Sequence, residues 1–218
     1  MLEKMDEFFE RRLASYDEHM MNNIYGAKEF YPYTASLLPM AKECHVLDLG
    51  CGTGLELEEY LAINPSARIT GIDLSDGMLS ALREKFEGKG YHINLICTSY
   101  FEAPLGESVY DAAVSVESLH HFTKDAKVAL YTKLHEALVD GGWFVLTDYF
   151  ADSEHEEESA QCELIKLKKE QKIADSEHYH YDTPLTLAHE IEALREAGFS
   201  SVVKMNSWGA THTLKAIK

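Results

Sequence analysis

The stretch VLDLGCGTGLELEEYL, Val46 to Leu61, decides the fold. It opens as an apolar strand pattern broken by one acid, passes three glycines at alternate positions, and closes as a leucine-striped helix pattern. Strand, glycine-rich turn and helix in that order let a ligand approach the backbone at the carboxyl end of a strand, where helix N–H groups point outward. A dinucleotide turn, G-x-G-x-x-G, needs its third glycine at position 55, and Leu55 stands there. The glycines are Gly50, Gly52 and Gly54, with Asp48 two residues before the first. A carboxylate there repels a pyrophosphate and attracts an ammonium or sulfonium group. The turn reads as a cradle for a positively charged nucleoside.

The neighbouring sequence sharpens this. Gly71-Ile72-Asp73 ends the next strand pattern in an acid about twenty residues beyond the turn, where a pair of ribose hydroxyls is bidentately accepted. Leu74, Ser75 and Met78 follow, placed to border an adenine, with Met78 a soft, polarizable contact. Strand-like and helix-like patterns then alternate: HVLDLG, Leu55 to Ile63, RITGID, Asp76 to Phe86, HINLIC, YDAAVSV, Lys124 to Leu138 and GWFVLTDYF. That alternation predicts an α/β fold, a doubly wound, mostly parallel sheet with helices on both faces. The close-spaced runs SSVVKMN and THTLKAI predict a hairpin adding an antiparallel edge. Ahead of the core, Leu2, Met5, Phe8, Phe9, Leu13, Tyr16 and Met20 recur at helical spacing, and a second helix is predicted over 31–41 with Pro32 in its first turn.

VLDLGCGTG, GIDLS and YDAAVSVESLHHF, in this order and spacing, resemble the class I S-adenosylmethionine-dependent methyltransferases of the small-molecule type. The resemblance covers about His45 to Phe150, and the two C-terminal runs fit that family's seven-stranded, Rossmann-like sheet. It implies S-adenosyl-L-methionine as cofactor and S-adenosyl-L-homocysteine as product. By that resemblance Asp48, Gly50, Cys51, Gly52 and Gly54 surround the methionine part, Asp73 binds the ribose hydroxyls, and Leu74 and Met78 flank the adenine. Many relatives carry an acid after the third strand for the adenine amino group. Ser99 takes that place here, with Thr98 and Tyr100 near enough to substitute.

Methyl transfer from a sulfonium is an in-line displacement driven by near-attack geometry in a dry pocket, and a base is needed only if the acceptor must lose a proton. The end of the fourth strand offers Ser115, Val116 and Glu117, then His120 and His121, at the edge where substrates of open sheets bind. Ser115 is counted with the cofactor residues; His120 and His121 are candidate bases, set against a capping role. Tyr16 of the N-terminal segment, a lid in similar enzymes, is a candidate for a cation–π contact with the sulfonium, set against plain core packing. Tyr25, Phe30, Tyr31 and Tyr33 carry the same two readings, and Asp148 and Tyr149 are pocket candidates as the end of the fifth strand. His178, His180 and Asp182, with His155, invite a metal reading, but no zinc spacing matches and no metal is assigned.

The totals bound the partners. The chain has 218 residues, 45% apolar content and a formal net charge of −17, a negative field that opposes phosphate backbones and anionic lipid. No apolar run nears the roughly 18 residues of a spanning helix, and the four scattered cysteines read as free thiols, so a cytoplasmic protein is expected. The expected organisation is one methyltransferase domain over 1–218: an N-terminal helical lid (1–42), a cofactor-binding core (43–150), an insert or lid (151–183), and a C-terminal helix and hairpin (184–218). The expected function is methyl transfer to an oxygen or nitrogen of a small molecule, without nucleic acid or membrane as partner. Oligomeric state stays open, a homodimer included. Two rivals are carried: a non-catalytic S-adenosylmethionine-binding regulator or scaffold, and a nicotinamide-dependent oxidoreductase, disfavoured by Leu55 and Asp48.

Overall fold

The computed structural model describes residues 1–174, 177 and 179–218. In chain order the elements are β1 (Glu3–Lys4), α1 (Met5–Arg12), α2 (Tyr16–Asn23), α3 (Ala27–Ser36), β2 (His45–Leu49), α4 (Leu55–Ile63), β3 (Arg68–Asp73), α5 (Asp76–Phe86) and β4 (His92–Cys97). They continue with β5 (Tyr110–Val116), α6 (Lys124–Ala137), β6 (Leu138–Tyr149), α7 (Glu154–Gln171), β7 (Tyr179–His180), α8 (Leu187–Glu196), β8 (Ser201–Trp208) and β9 (Thr211–Ile217). The main sheet has seven strands in the order β4-β3-β2-β5-β6-β9-β8. Pairings from β4 through β6 are parallel, and β9 joins β6 and β8 antiparallel. The expected doubly wound sheet and its closing hairpin are therefore present.

Strand β2 is central and buried over Val46 to Leu49, which explains its near-continuous apolar run. Its alternation divides the core: Leu47 and Leu49 pack with residues of α6 and α8, while Val46 packs with residues of α3, α4 and α5 on the other face. Strand order reverses between β2 and β5, so the carboxyl ends of these two strands open the crevice in which ligands of such sheets bind.

The N-terminal segment differs from the single amphipathic helix expected of it. It breaks into β1, α1, a 3-10 turn over Leu13–Ser15, and α2. The reason lies in what the apolar stripe covers: Met5 and Phe9 pack with one core and Tyr16 and Met20 with the other, so the segment crosses the sheet edge, which one straight helix cannot do. It is fastened at two points. β1 pairs antiparallel with β7, Glu3 opposite His180, and Asp17 accepts from Thr53 Oγ1 of the glycine turn and from Lys85 Nζ of α5. Helix α3 also starts earlier than expected, after Gly26 at φ 80°, whose carbonyl accepts from Glu29 and Phe30 at 2.8 Å. Pro32 falls in its second turn, where the donor it lacks would have served the carbonyl of exposed Lys28.

Candidate active site

The glycine turn is held open by its backbone. Gly50 and Cys51 donate to the Ile72 carbonyl at 2.8 and 3.2 Å, drawing the turn onto the end of β3. Gly50 has φ 77°, and a Cβ there would collide with Ser118. Gly52 has φ 47° and faces open space, the nearest atom to a notional Cβ being a Tyr16 ring carbon at 4.0 Å. Asp73 accepts from Gly52 N at 2.9 Å and Ser75 N at 2.8 Å, which fixes its carboxylate at the rim. Ser75 in turn caps α5 by accepting from Met78 N.

These residues line a pocket at the carboxyl edge of the sheet. Gly50, Gly52, Asp73, Leu74, Met78, Ser99 and Tyr100 form its walls, and Met5, Phe9 and Tyr16 of the N-terminal segment roof it. Behind the turn Asp48 is fully buried, and neither carboxylate oxygen has a hydrogen-bond partner. Burial, then the neighbouring Glu56, pushes Asp48 well above the usual carboxylate range, and burial pushes Glu56 up to about 8. A buried carboxyl pair beneath an open glycine backbone suits a ligand that brings its own ammonium or sulfonium charge.

A second cavity adjoins the first and shares Phe9, Tyr16 and Glu117 with it. His120, His121, His180 and Asp182 line its far side. His120 Nδ1 lies 2.6 Å from Asp148 Oδ1 of β6, with both side chains buried. Burial opposes charge on His120, but Asp148 overcomes it and raises the imidazole to about 9. Burial and then the charge of His120 lower His121 to about 4. His121 Nδ1 lies 3.0 Å from Asp182 Oδ1 without the alignment of a hydrogen bond. Glu117 stands between the cavities at φ 49°, a backbone conformation unusual outside glycine, and its carboxylate accepts from Thr211 Oγ1 at 3.0 Å. Burial, then Asp148, pushes it up to about 7.

A family model described as a methyltransferase domain matches residues 46–142, the span from the glycine turn to the start of the sixth strand's long run. The matched span supports a class I S-adenosylmethionine-dependent methyltransferase. Over its whole length this methyltransferase is 25% identical to carboxy-S-adenosyl-L-methionine synthase of Nitratiruptor sp., covering 95% of that protein. It is 28% identical over 167 residues to the biotin biosynthesis bifunctional protein BioHC of Teredinibacter turnerae, covering 67% of this chain and 29% of that protein. Its fold matches phosphoethanolamine N-methyltransferase 2 of Haemonchus contortus, solved with S-adenosyl-L-methionine, at a TM-score of 0.72 and 15% identity, over 98% of this chain and 58% of that one. The chain thus spans under a third of one of these relatives and nearly all of another.

The methyltransferase brings most of the expected residues to the two cavities and sets four behind the wall. Cys51 turns its thiol into the sheet against Gly71. Gly54 opens α4 beneath Leu82 and Phe86. Ser115 spends its hydroxyl on the Leu49 carbonyl at 2.8 Å, because its place in β5 faces the neighbouring strand. Asp48 lies on the α4 side of β2, which is where Glu56 meets it. His178 lies outside the described residues, and His155 is exposed on α7, where the first-turn acids Glu154, Glu156 and Glu157 suit the helix dipole. Phe30 and Tyr31 are core residues, Tyr25 is exposed, and Tyr33 donates to the Met205 carbonyl.

Glu56 and Phe9 were not singled out from the sequence. Glu56 carried a usable signal, since it precedes buried Tyr60 by one helical turn and shares its face. The left-handed backbone of Glu117 and the approach of Asp182 to His121 carried none.

Proposed function

We propose that the chain transfers a methyl group from S-adenosyl-L-methionine to an oxygen or nitrogen of a small-molecule acceptor. The observation that carries this reading is the pair of cavities sharing Phe9, Tyr16 and Glu117. The first takes the cofactor: Asp73 receives the ribose hydroxyls, Leu74 and Met78 flank the adenine, Ser99 and Tyr100 stand at its polar edge, and the backbone of Gly50 and Gly52 meets the methionine part above Asp48. The second takes the acceptor, with His120 and His121 on its far side and Tyr16 at the junction through which the methyl passes. Bound there, the cofactor supplies an electrophilic methyl on a sulfonium, and the chain's own part is to align the acceptor and keep water out. A net charge of −17 and a roofed cavity favour a small acceptor over nucleic acid. The absence of any helix long and apolar enough to cross a membrane among the described residues, with four cysteines unpaired, supports a cytoplasmic setting.

A second reading rests on the whole-length match to carboxy-S-adenosyl-L-methionine synthases, whose name makes the cofactor itself the product's scaffold. Incubation with S-adenosyl-L-methionine and a small-metabolite extract, followed by mass spectrometry of the nucleoside, separates the two. Release of S-adenosyl-L-homocysteine is expected, and a nucleoside heavier by one carboxyl group would move the reading to the second. Thermal melts give the cofactor its own test: at 100 times its dissociation constant it should stabilise by about 2.7 kcal/mol. Stabilisation by NADH alone would overturn the assignment of the first cavity.

A further inference from the structure

We propose that His120, His121 and Asp182 hold a first-row divalent metal ion in the acceptor cavity. His120 Nε2 lies 3.7 Å and His121 Nδ1 3.0 Å from Asp182 Oδ1, and the three donor atoms all lie within 4.8 Å of one another. A metal about 2.0–2.2 Å from each donor sets its ligand atoms roughly 3–3.5 Å apart, and both histidine separations from Asp182 already stand near that spacing. Two independent features aim the groups at that point. Asp148 takes the Nδ1 side of His120 at 2.6 Å and leaves Nε2 facing Asp182, the carboxylate–imidazole support that metal-binding histidines commonly have. His121 is 6% exposed, and its buried Nδ1 lies 3.0 Å from a carboxylate oxygen of Asp182 without the alignment of a hydrogen bond. A buried ring nitrogen in that position lacks a cation or a donor.

Donor type narrows the ion. Two imidazoles and one carboxylate suit zinc, iron, cobalt or manganese, whereas magnesium and calcium prefer all-oxygen shells. All three residues line the second cavity, so the remaining coordination positions open toward the space that Glu117 and Tyr16 border. Asp182 follows β7, which pairs with β1, so the ion would also tie that lid strand to the end of β5. If the methyl-transfer reading holds, the acceptor is one whose oxygen can bind this ion and lose its proton there; the metal site itself does not depend on that reading.

The test uses the tag-free full chain, stripped with a chelator and titrated with Co²⁺ alone, followed by visible absorption and calorimetry. One equivalent is expected, with ligand-field bands of a nitrogen- and oxygen-bound ion. Asp182→Asn and His121→Ala should each weaken binding by at least tenfold, while His155→Ala on exposed α7 leaves it unchanged. Asp182 is half exposed, so its variant tests the site without a fold penalty, and S-adenosylmethionine affinity measured on the same samples reports whether each variant is folded. Sub-stoichiometric binding, or equal binding by wild type and both ligand variants, would overturn the proposal. Loss of metal binding with cofactor binding retained would leave the methyl-transfer reading standing on its own data.

Discussion

Two clusters of buried charge lie on the α6 side of the sheet. In one, Lys127 of α6 donates to Glu190 of α8 at 2.6 Å, and Tyr131 donates to the same carboxylate; the lysine is 1% exposed and the glutamate 0%. None of these three side chains has a buried polar atom without a partner. In the other, around the second cavity, His120 and Asp148 are paired, but His121 Nδ1 is not. Both arrangements bear the cost of taking charge out of water. The first spends its donors and acceptors inside the protein and fixes how two helices pack. The second leaves an orphaned atom beside open space, where a ligand can complete it.

The largest effect that would break this comparison is in the closed cluster. Lys127→Met leaves Glu190 buried without its cation and should cost about 3–5 kcal/mol of stability, read as a fall in the urea midpoint with cofactor affinity little changed. A loss near zero would mean that the cluster is not the structural member of the pair. Next comes the pH dependence of the buried carboxyl pair under the glycine turn, Asp48 and Glu56. In the folded chain Glu56 keeps its proton to about 8, against an ordinary value near 4.5, so between those values the native state binds more protons than the unfolded chain. Stability from this group is therefore full at low pH and falls as pH rises through about 8, by at most about 1.4 kcal/mol per pH unit. Glu56→Gln should lower the slope in urea melts taken between pH 5 and 8, leaving the share of Asp48, which burial raises in the same direction, and an unaltered slope would show that Glu56 does not hold its proton. The smallest effect concerns the cofactor cavity: Asp73→Ala should weaken S-adenosylmethionine binding by about 1.5–3 kcal/mol, a loss calorimetry resolves, and unchanged affinity would move the ribose elsewhere.

How much of this was legible in the sequence follows from which interactions are local. The helices over Leu55–Ile63 and Asp76–Phe86 and the strands HVLDL, RITGID, HINLIC and YDAAVSV stand as their periodicity reads, because each buries one stripe or face against the sheet. The N-terminal helix failed as a single element because its stripe serves two cores at once, which periodicity alone does not reveal. Among the site residues, those in or beside the turn, Gly50, Gly52, Asp73, Leu74 and Met78, meet at one cavity, since consecutive βα turns at a switch point share an edge. Ser115 lies outside that cavity, because its hydroxyl goes to the Leu49 carbonyl of the neighbouring strand, a pairing that depends on strand order.

The sequence by itself therefore determined the sheet, the glycine cradle and the class of its ligand, because those rest on backbone conformation, on side-chain alternation and on one acid at a fixed offset. Only the tertiary structure decided how the charges divide. It set Glu56 against Asp48, Asp148 against His120, and Asp182 against His121 across separations of 8, 28 and 61 residues. Contacts of that kind arise when packed elements bring distant side chains into one low-dielectric space, and there the pairing of a group, more than its type, sets whether it holds a helix or waits for a ligand.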